Sequence, residues 1–251
     1  MTYCVGILVK GGLAVLADTR TNAGVDKVST YRKLQVFGND GERLIAVATA
    51  GNLSTTQAAL ERAGREADSL QTAPSIHRAA EILGRALRAT RDEMEALKQP
   101  DVNFDATLLV GGSVGGEPPR LFLVYGAGNF IECGEDTPYL QIGETQYGKP
   151  VLDRLLTYDT DLDEAVKIGL ISYSPTLRSD LAVGLPIDLV TMRTGARRAD
   201  LLHRIEADDG YFRDLETRWS EALHAAAAAI PPPPYGSSAA APSPGLKPTG
   251  R

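Results

Sequence analysis

The threonine directly after the initiator methionine has the first side chain in the sequence that could do chemistry. Thr2 carries a hydroxyl, and removal of Met1 would leave a free α-amino group on the same residue. Such an amine has an ordinary pKa of about 7.7 to 8.0, so near neutral pH it can accept a proton and return it. Thr2 is therefore a candidate nucleophile with its own base, although Met-Thr is also a common start that carries no function.

The first predicted element must bring a carboxylate to Thr2. Short apolar runs at Tyr3 to Val9 and Leu13 to Ala17 flank a Gly-Gly pair and predict a β-hairpin. This hairpin returns Asp18 to the neighbourhood of Thr2. Strict pairing would place Thr2 near Thr21 and turn Asp18 to the opposite face of the sheet. Asp18 can therefore serve Thr2 only if it lies where the chain leaves the ladder.

A lysine and a glycine complete the candidate site. Lys33 begins a third predicted strand, and an ion pair with Asp18 would fix its ammonium beside the Thr2 hydroxyl and favour the deprotonated form. Gly51 lies between a strand and a helix, where a backbone N–H can stabilise an oxyanion. The alternatives at these two positions are a solvated lysine and a glycine required only for backbone conformation.

The hydrophobic periodicity of the remaining chain predicts separate blocks of strands and helices. Strands are expected at Lys33 to Phe37, Leu44 to Thr49, Ala106 to Val110, Leu121 to Tyr125, Asn129 to Glu132, Tyr139 to Ile142 and, as the last one, Ile187 to Met192. Helices are expected at Leu53 to Leu70, Ile76 to Leu97, about 147 to 157, 161 to 173 and about 209 to 229. Segregated blocks favour α+β layering, so we expect a four-layer αββα sandwich.

Length and composition predict one domain followed by a tail. The chain has 251 residues, of which 43% are hydrophobic, and this is enough for one large core and rather little for two. We expect the domain to span residues 2–230, with a helical C-terminal extension. Residues 231–251 read PPPPYGSSAAAPSPGLKPTGR, a Pro-, Ser- and Ala-rich composition that predicts a disordered tail.

Charge and segment patterns disfavour several classes of protein. Lysine and arginine total 26 against 32 acidic residues, and without a basic cluster we expect no nucleic-acid partner. No signal peptide or apolar run of about 18 residues is recognisable, so we expect a soluble, cytoplasmic protein with no membrane partner. Cys4 and Cys133 are expected to be reduced. His77, His203 and His224 lie on separate predicted helical segments without metal-ligand spacing, so we expect no metal or cofactor.

Several strings of the sequence resemble a known family. TYCVGILVKGGLAVLADTRTNAG, RKLQVF, ATAGN and FDATLLVGG are similar to the proteasome β-subunit family of N-terminal nucleophile hydrolases, and within it to the bacterial branch called Anbu, the ancestral beta subunit. The resemblance extends over roughly residues 2 to 193. It implies an αββα sandwich, an N-terminal threonine exposed by self-processing or by methionine removal, and peptide-bond hydrolysis inside an oligomer.

The resemblance assigns roles to individual residues. It implies that the catalytic set is Thr2 as nucleophile, Asp18 as buried acid, Lys33 as the lysine, Gly51 as the oxyanion glycine and Asp180 as the second acid, with Arg20 as structural support. A peptide substrate is expected to add as a strand between Thr21-Asn22 and Ala50-Gly51 through main-chain hydrogen bonds.

Two positions depart from the family pattern. Where the family carries a serine close to the threonine amine, this chain has Glu144, and Thr145 is the nearest hydroxyl. Three residues after Asp180 the family carries another serine, and this chain has Val183. We therefore expect an altered hydrogen-bond network around the amine.

Three functions are compatible with these residues. The first is a threonine peptidase acting on peptides or unfolded proteins, and the second is a non-catalytic assembly subunit of the same fold. Non-catalytic α-type proteasome subunits carry a helix before the first strand, which this sequence does not predict, so the peptidase is favoured. The third is an amidase of the same class that acts on a non-protein amide. The resemblance further implies a homo-oligomer, and repeated contacts give either a closed ring or an open spiral.

Overall fold

Two antiparallel β-sheets lie face to face in the computed structural model, which describes residues 2–22, 28–65, 69–96 and 102–235. The strands are β1 (Tyr3–Val9), β2 (Gly12–Asp18), β3 (Arg20–Asn22), β4 (Val28–Thr30), β5 (Leu34–Gly38), β6 (Arg43–Gly51), β7 (Ala106–Val114), β8 (Arg120–Val124), β9 (Phe130–Glu132), β10 (Tyr139–Gly143), β11 (Ile187–Arg193) and β12 (Leu201–Ile205). The helices are α1 (Leu53–Arg65), α2 (Ile76–Glu95), α3 (Lys149–Leu155), α4 (Leu162–Ser179) and α5 (Gly210–Ala229).

The strands form two large sheets and one small ribbon. The first sheet has the order β10-β1-β2-β11-β12, and the second has the order β5-β6-β7-β8-β9. The short strands β3 and β4 pair with each other outside both sheets. In the first sheet β1 lies between β10 and β2, so the start of the chain is held on both sides.

Three hydrophobic clusters fill the spaces between the layers. One cluster lies between the two sheets, and its members include Cys4, Leu13, Ala46 and Leu109. A second cluster packs the outer face of the first sheet against α3, α4 and α5. A third packs the outer face of the second sheet against α1 and α2. The order of layers is helices, sheet, sheet, helices, which confirms the predicted four-layer αββα sandwich.

The elements differ from the sequence prediction in four places. Strands β3, β4 and β12 were not predicted, so the expectation that Ile187 to Met192 is the last strand was wrong, and His203 lies on a strand. Helix α1 ends at Arg65, and Leu70 lies in the following turn. Helix α4 continues past residue 173 and through Pro175 to Ser179.

The register of the first hairpin also differs from the prediction. Cys4 pairs with Ala17, and Val9 pairs with Gly12. Continuing this register places Tyr3 opposite Asp18, so the expected pairing of Thr2 near Thr21 was wrong. The error is two residues, because the turn contains only Lys10 and Gly11. Asp18 is the last residue of β2, at the point where the chain leaves the ladder.

The C-terminal end of the described chain is exposed. Helix α5 packs through Phe212 and Leu215, and residues 221–235 are exposed throughout. Most of the expected tail, residues 236–251, lies outside the described residues. Within the described ranges, no helix combines the length and the apolar character needed to cross a membrane.

Candidate active site

The end of strand β2 places the Asp18 carboxylate under the N-terminal strand. Asp18 is fully buried, and each of its two oxygens accepts hydrogen bonds. Oδ1 accepts from the backbone N–H of Tyr3 at 3.0 Å, and Oδ2 accepts from the backbone N–H groups of Arg20 and Gly184, each at 3.2 Å. These donors come from three different segments of the chain, so the carboxylate is held in one orientation.

Lys33 completes this arrangement with a buried ammonium group. Its Nζ donates to Asp18 Oδ1 at 2.7 Å, and its side chain is 6% exposed. Lys33 lies just before β5, and its backbone carbonyl accepts a hydrogen bond from the Thr49 N–H at 3.1 Å. The lysine is therefore part of the interior, in contrast to the solvated alternative considered for it.

Burial and hydrogen bonding have opposite effects on the protonation of Asp18. Burial raises the pKa of the Asp18 carboxyl above its ordinary range, while the Lys33 ammonium and the N–H groups of Tyr3 and Gly184 lower it. Loss of the Lys33 charge would remove the largest of the effects that oppose the rise. The Lys33 ammonium therefore favours the charged form of the Asp18 carboxylate.

Thr2 lies at the end of the first sheet, next to strand β10. It is 6% exposed, and its carbonyl oxygen accepts a hydrogen bond from the Glu144 N–H at 2.6 Å. The Glu144 side chain is buried, and its Oε1 accepts from the Gln146 N–H at 2.6 Å. The Thr145 side chain is exposed. Glu144 is therefore the residue of this segment that is bonded directly to Thr2.

A cleft of about 280 Å³ brings Thr2 together with four other predicted site residues, namely Thr21, Lys33, Ala50 and Gly51. It is lined by Thr2, Thr21, Tyr31, Lys33, Thr49, Ala50, Gly51, Leu53 and Thr56. Gly51 has φ of +101°, a backbone conformation that favours glycine. The nucleophile candidate, the lysine and the oxyanion glycine therefore share one opening.

Four residues that line this cleft were not among the predicted site residues: Tyr31, Thr49, Leu53 and Thr56. Tyr31 lies between β4 and β5, while Leu53 and Thr56 lie in the first turn of α1. A signal for the last two was present, because they directly follow Gly51 at a strand-to-helix junction. Tyr31 has no such signal, since its position depends on the unpredicted ribbon of β3 and β4.

Asp180 and Arg20 meet at a loop beside Asp18. Asp180 is buried at the C-terminal end of α4; its Oδ1 accepts from the Ala182 N–H at 2.8 Å, while its buried Oδ2 accepts no hydrogen bond from the described residues. Arg20 donates from Nη1 to the Leu181 carbonyl at 2.9 Å. The N–H of Gly184 in the same loop binds Asp18. The loop therefore connects the two acids, because its Ala182 N–H binds Asp180 and its Gly184 N–H binds Asp18.

Of the remaining residues singled out from the sequence, two lie at the rim of the cleft and two lie outside it. Thr21 and Ala50 line it from opposite sides, β3 and β6. Asn22 pairs with Val28 in the β3–β4 ribbon. Val183 is buried, so its side chain belongs to the core beneath the loop that follows Asp180.

A larger cleft of about 470 Å³ has no residue in common with the cleft at Thr2. It lies between β5, β11 and β12 and contains Arg32, Asp188 and Arg204. Arg204 binds Asp188 through two hydrogen bonds of 2.7 and 2.9 Å. The buried carboxylate of this cleft is thus already neutralised, and no candidate nucleophile from the sequence lies there.

Comparison with known proteins identifies close relatives. The family described as "Proteasome subunit" matches residues 2–191. The solved structure of Anbu (ancestral beta-subunit) from Yersinia bercovieri is 42% identical and covers 93% of this chain and 100% of its own, with a TM-score of 0.86. An Anbu (Gly-1) mutant from Hyphomicrobium sp. strain MC1 is 44% identical, covers 92% of this chain and 99% of its own, and has a TM-score of 0.86.

A third solved structure is described as the helical assembly of the Anbu complex from Pseudomonas aeruginosa. It is 40% identical and covers 93% of this chain and 98% of its own, with a TM-score of 0.85. A comparison with curated proteins finds no significant match. The structural relatives extend over nearly the whole chain, so the similarity includes the elements that carry the cleft.

Proposed function

The chain belongs to the proteasome subunit family and resembles its Anbu members throughout, and we propose that it is a threonine-type peptidase that works within a homo-oligomer. The observation that carries the proposal is the buried ion pair of Lys33 and Asp18 beneath Thr2. A buried pair of this kind contributes little to stability compared with apolar residues of similar size. Its presence beside a hydroxyl in a cleft therefore favours a chemical role.

The proposed reaction begins when Met1 has been removed. The Thr2 hydroxyl transfers its proton to the α-amino group and its oxygen attacks the carbonyl carbon of the substrate. The fixed ammonium of Lys33 stabilises the oxygen as it becomes negative. The N–H of Gly51 donates to the oxyanion of the tetrahedral intermediate.

Collapse of the intermediate releases the amine half of the substrate. The C–N bond breaks, the leaving nitrogen takes the proton from the Thr2 ammonium, and an ester between Thr2 and the acyl half remains. A water molecule then attacks the ester, with the α-amine again as the base, and the Thr2 hydroxyl is restored. All steps use only groups of the chain, the substrate and water.

Peptide recognition is proposed to use the backbone at the rim of the cleft. Strand β3 pairs with β4 on one side, and within the described residues its other side faces no strand. An extended peptide could bind between Thr21-Asn22 and Ala50-Gly51 through main-chain hydrogen bonds. Apart from the paired Lys33, the lining of the cleft is uncharged, so we propose that it prefers a neutral side chain next to the cleaved bond.

The proposal is tested by intact mass spectrometry after treatment with an electrophile that captures both the hydroxyl and the α-amine. We expect the wild-type protein to lack Met1 and to gain one adduct on Thr2. Thr2→Ala should gain none and should not cleave peptides. Thr21→Ala is the matched control, because it removes a cleft hydroxyl from a residue whose backbone is proposed to bind. Peptide cleavage by Thr2→Ala at the wild-type rate would refute the mechanism.

A further inference from the structure

The residue next to the nucleophile is held by a tyrosine from the outer helix layer. Tyr173 lies on α4, and its hydroxyl donates to the backbone carbonyl of Tyr3 at 2.8 Å. Both tyrosines are fully buried, and their ring centroids are 4.6 Å apart with a tilt of 57° between the rings. A side chain more than 160 positions along the chain therefore binds the carbonyl of the residue that follows Thr2.

The Tyr3 side chain is anchored as well. The Ser172 hydroxyl donates to the Gly169 carbonyl at 2.5 Å, so the Tyr3 hydroxyl is the donor in its 2.8 Å hydrogen bond to Ser172 Oγ. Gln141 Nε2 donates to the Tyr3 hydroxyl oxygen at 2.9 Å. Burial raises the pKa of both tyrosine hydroxyls above the ordinary range, so both remain protonated and able to donate.

These contacts connect α4 to the ion pair of the site. Tyr3 receives a hydrogen bond at its carbonyl from Tyr173 and donates its N–H to Asp18 Oδ1, the same oxygen that accepts from Lys33. Once Met1 is absent, the peptide bond to Tyr3 is the only covalent link between Thr2 and the rest of the chain, beside the hydrogen bond of the Thr2 carbonyl to Glu144. The orientation of Tyr3 therefore determines where the Thr2 hydroxyl lies relative to Lys33.

We propose that Tyr173 is a positioning residue for the nucleophile: its hydroxyl, held by α4, fixes the Tyr3 carbonyl so that Thr2 keeps its reactive position over the ion pair. The inference rests on the proposed role of Thr2. Small displacements of a reacting group are costly, since a misplacement of about 1 Å can reduce the rate about a hundredfold. The buried Tyr173 hydroxyl requires a partner, and because that partner is the Tyr3 carbonyl, the bond also restrains the residue that carries Thr2.

The decisive variant is Tyr173→Phe, which removes the hydroxyl and keeps the ring that packs on Tyr3. Tyr139→Phe is the matched control, because Tyr139 is another buried tyrosine of the same cluster, with its hydroxyl bonded to Lys149 and Asp153 near the surface. The measurements are the rate of Thr2 modification by the electrophile, kcat and KM for a peptide, and the melting temperature.

We expect Tyr173→Phe to slow Thr2 modification and to reduce kcat by about tenfold or more, with little change in KM. Tyr139→Phe should be modified at the wild-type rate, even if its melting temperature falls as much as that of Tyr173→Phe. If Tyr173→Phe does not fold, Ser172→Ala is the test variant. It removes the hydroxyl that anchors the Tyr3 side chain, so it should slow Thr2 modification by less than about tenfold, the reduction expected for Tyr173→Phe. An unchanged rate in the folded variant overturns the inference.

The two proposals fail in different ways. If wild-type Thr2 is not modified at all, the proposed function is wrong and this inference falls with it. If the wild type and Tyr173→Phe are modified at equal rates, Thr2 is the nucleophile but Tyr173 does not position it. If Thr2 is modified more slowly in Tyr173→Phe and at the wild-type rate in Tyr139→Phe, both the proposed function and the positioning role are supported.

Discussion

Lys33 and Asp18 illustrate how one pair of side chains links stability to chemistry. Lys33→Met keeps most of the side-chain volume but leaves the Asp18 carboxylate buried without its ammonium partner. Removing one partner of a buried pair typically costs about 3–5 kcal/mol. We therefore expect Lys33→Met to lower the free energy of unfolding by about this amount and to abolish Thr2 modification, as measured by urea denaturation and mass spectrometry.

The double variant Lys33→Met/Asp18→Asn separates the two effects. It removes both charges, so we expect most of the lost stability to return while Thr2 stays unreactive. Recovery of activity together with stability would show that the pair is structural. The expectation differs from that for the solvated alternative, because a solvated lysine at a strand end could be replaced with little loss of stability.

Glu144 gives a prediction about pH. A carboxylate close to an amine favours the charged, ammonium form of that amine. The neutral amine is the proposed base, and Glu144 is the residue whose N–H binds the Thr2 carbonyl, so we expect its carboxylate to shift the onset of reactivity to higher pH. We expect Glu144→Gln to shift the onset to lower pH and to react faster than the wild type at pH ~7, which lies below the ordinary amine pKa of about 7.7 to 8.0.

The measurement is the rate of Thr2 modification as a function of pH, with Gln146→Ala as the control. Gln146 contributes only its backbone N–H to Glu144, so its substitution should leave the profile unchanged. Identical pH midpoints for the wild type and Glu144→Gln would show that the carboxylate does not act on the amine.

Single residues of the site were predictable where chemistry alone identifies them. Thr2, Asp18, Lys33 and Gly51 were selected from residue type and position, and the structure brings them to one cleft or to its floor. The burial of Lys33 could not be predicted, because it depends on how the segment before β5 packs under the first sheet. The contact of Tyr173 with Tyr3 could not be predicted either, since it joins residues that only the tertiary fold brings together.

At the scale of elements, the backbone of α2 lies very close to the turn after β8. A Cβ on Gly84 would overlap the carbonyl oxygen of Gly128, so α2 can pack here only without a side chain. We expect Gly84→Ala to destabilise the protein by about 1–3 kcal/mol, because neither backbone can move away. Gly64→Ala in α1 is the matched control, since its Cβ meets no atom within 4 Å.

We expect Gly64→Ala to raise the free energy of unfolding by about 0.5–1 kcal/mol, because alanine has the higher helix propensity. Both values are obtained from urea denaturation, and Thr2 modification should stay normal in Gly64→Ala. A loss of stability in both variants would mean that glycine is needed in these helices for a reason other than the contact.

The differences between the predicted and the observed elements have two physical causes. Strand β12 is Leu-Leu-His-Arg-Ile and lies at the edge of its sheet with exposed Leu201 and Leu202, so it lacks the alternation of a half-buried strand. Helix α4 continues through Pro175 although proline usually ends a helix, because tertiary packing of its apolar face outweighs the local preference. Local pattern predicted the layers well, since most strands and helices bury one clear face.

At the scale of the whole molecule, the C-terminal helix exposes apolar surface. Leu223 is 51% exposed on α5, and with Trp219 it lines a groove of about 320 Å³ that also includes Tyr147 and Leu155. Contiguous apolar surface of this kind marks contact with another molecule more often than contact with water. Because the relative from Pseudomonas aeruginosa is described as a helical assembly, we expect a neighbouring copy of this chain to be the partner.

We expect the protein to assemble so that its peptidase site is enclosed. A peptidase that binds substrates through the main chain would cleave many proteins unless its Thr2 faced an enclosed space. We expect light scattering of the wild type to show an assembly of many subunits. Leu223→Asp, which places a charge in the groove, should lower the assembled mass, whereas Arg218→Ala on the exposed side of α5 should not. A stable wild-type monomer at micromolar concentration would contradict the enclosed site and favour an amidase that acts on small substrates, because such an enzyme needs no compartment.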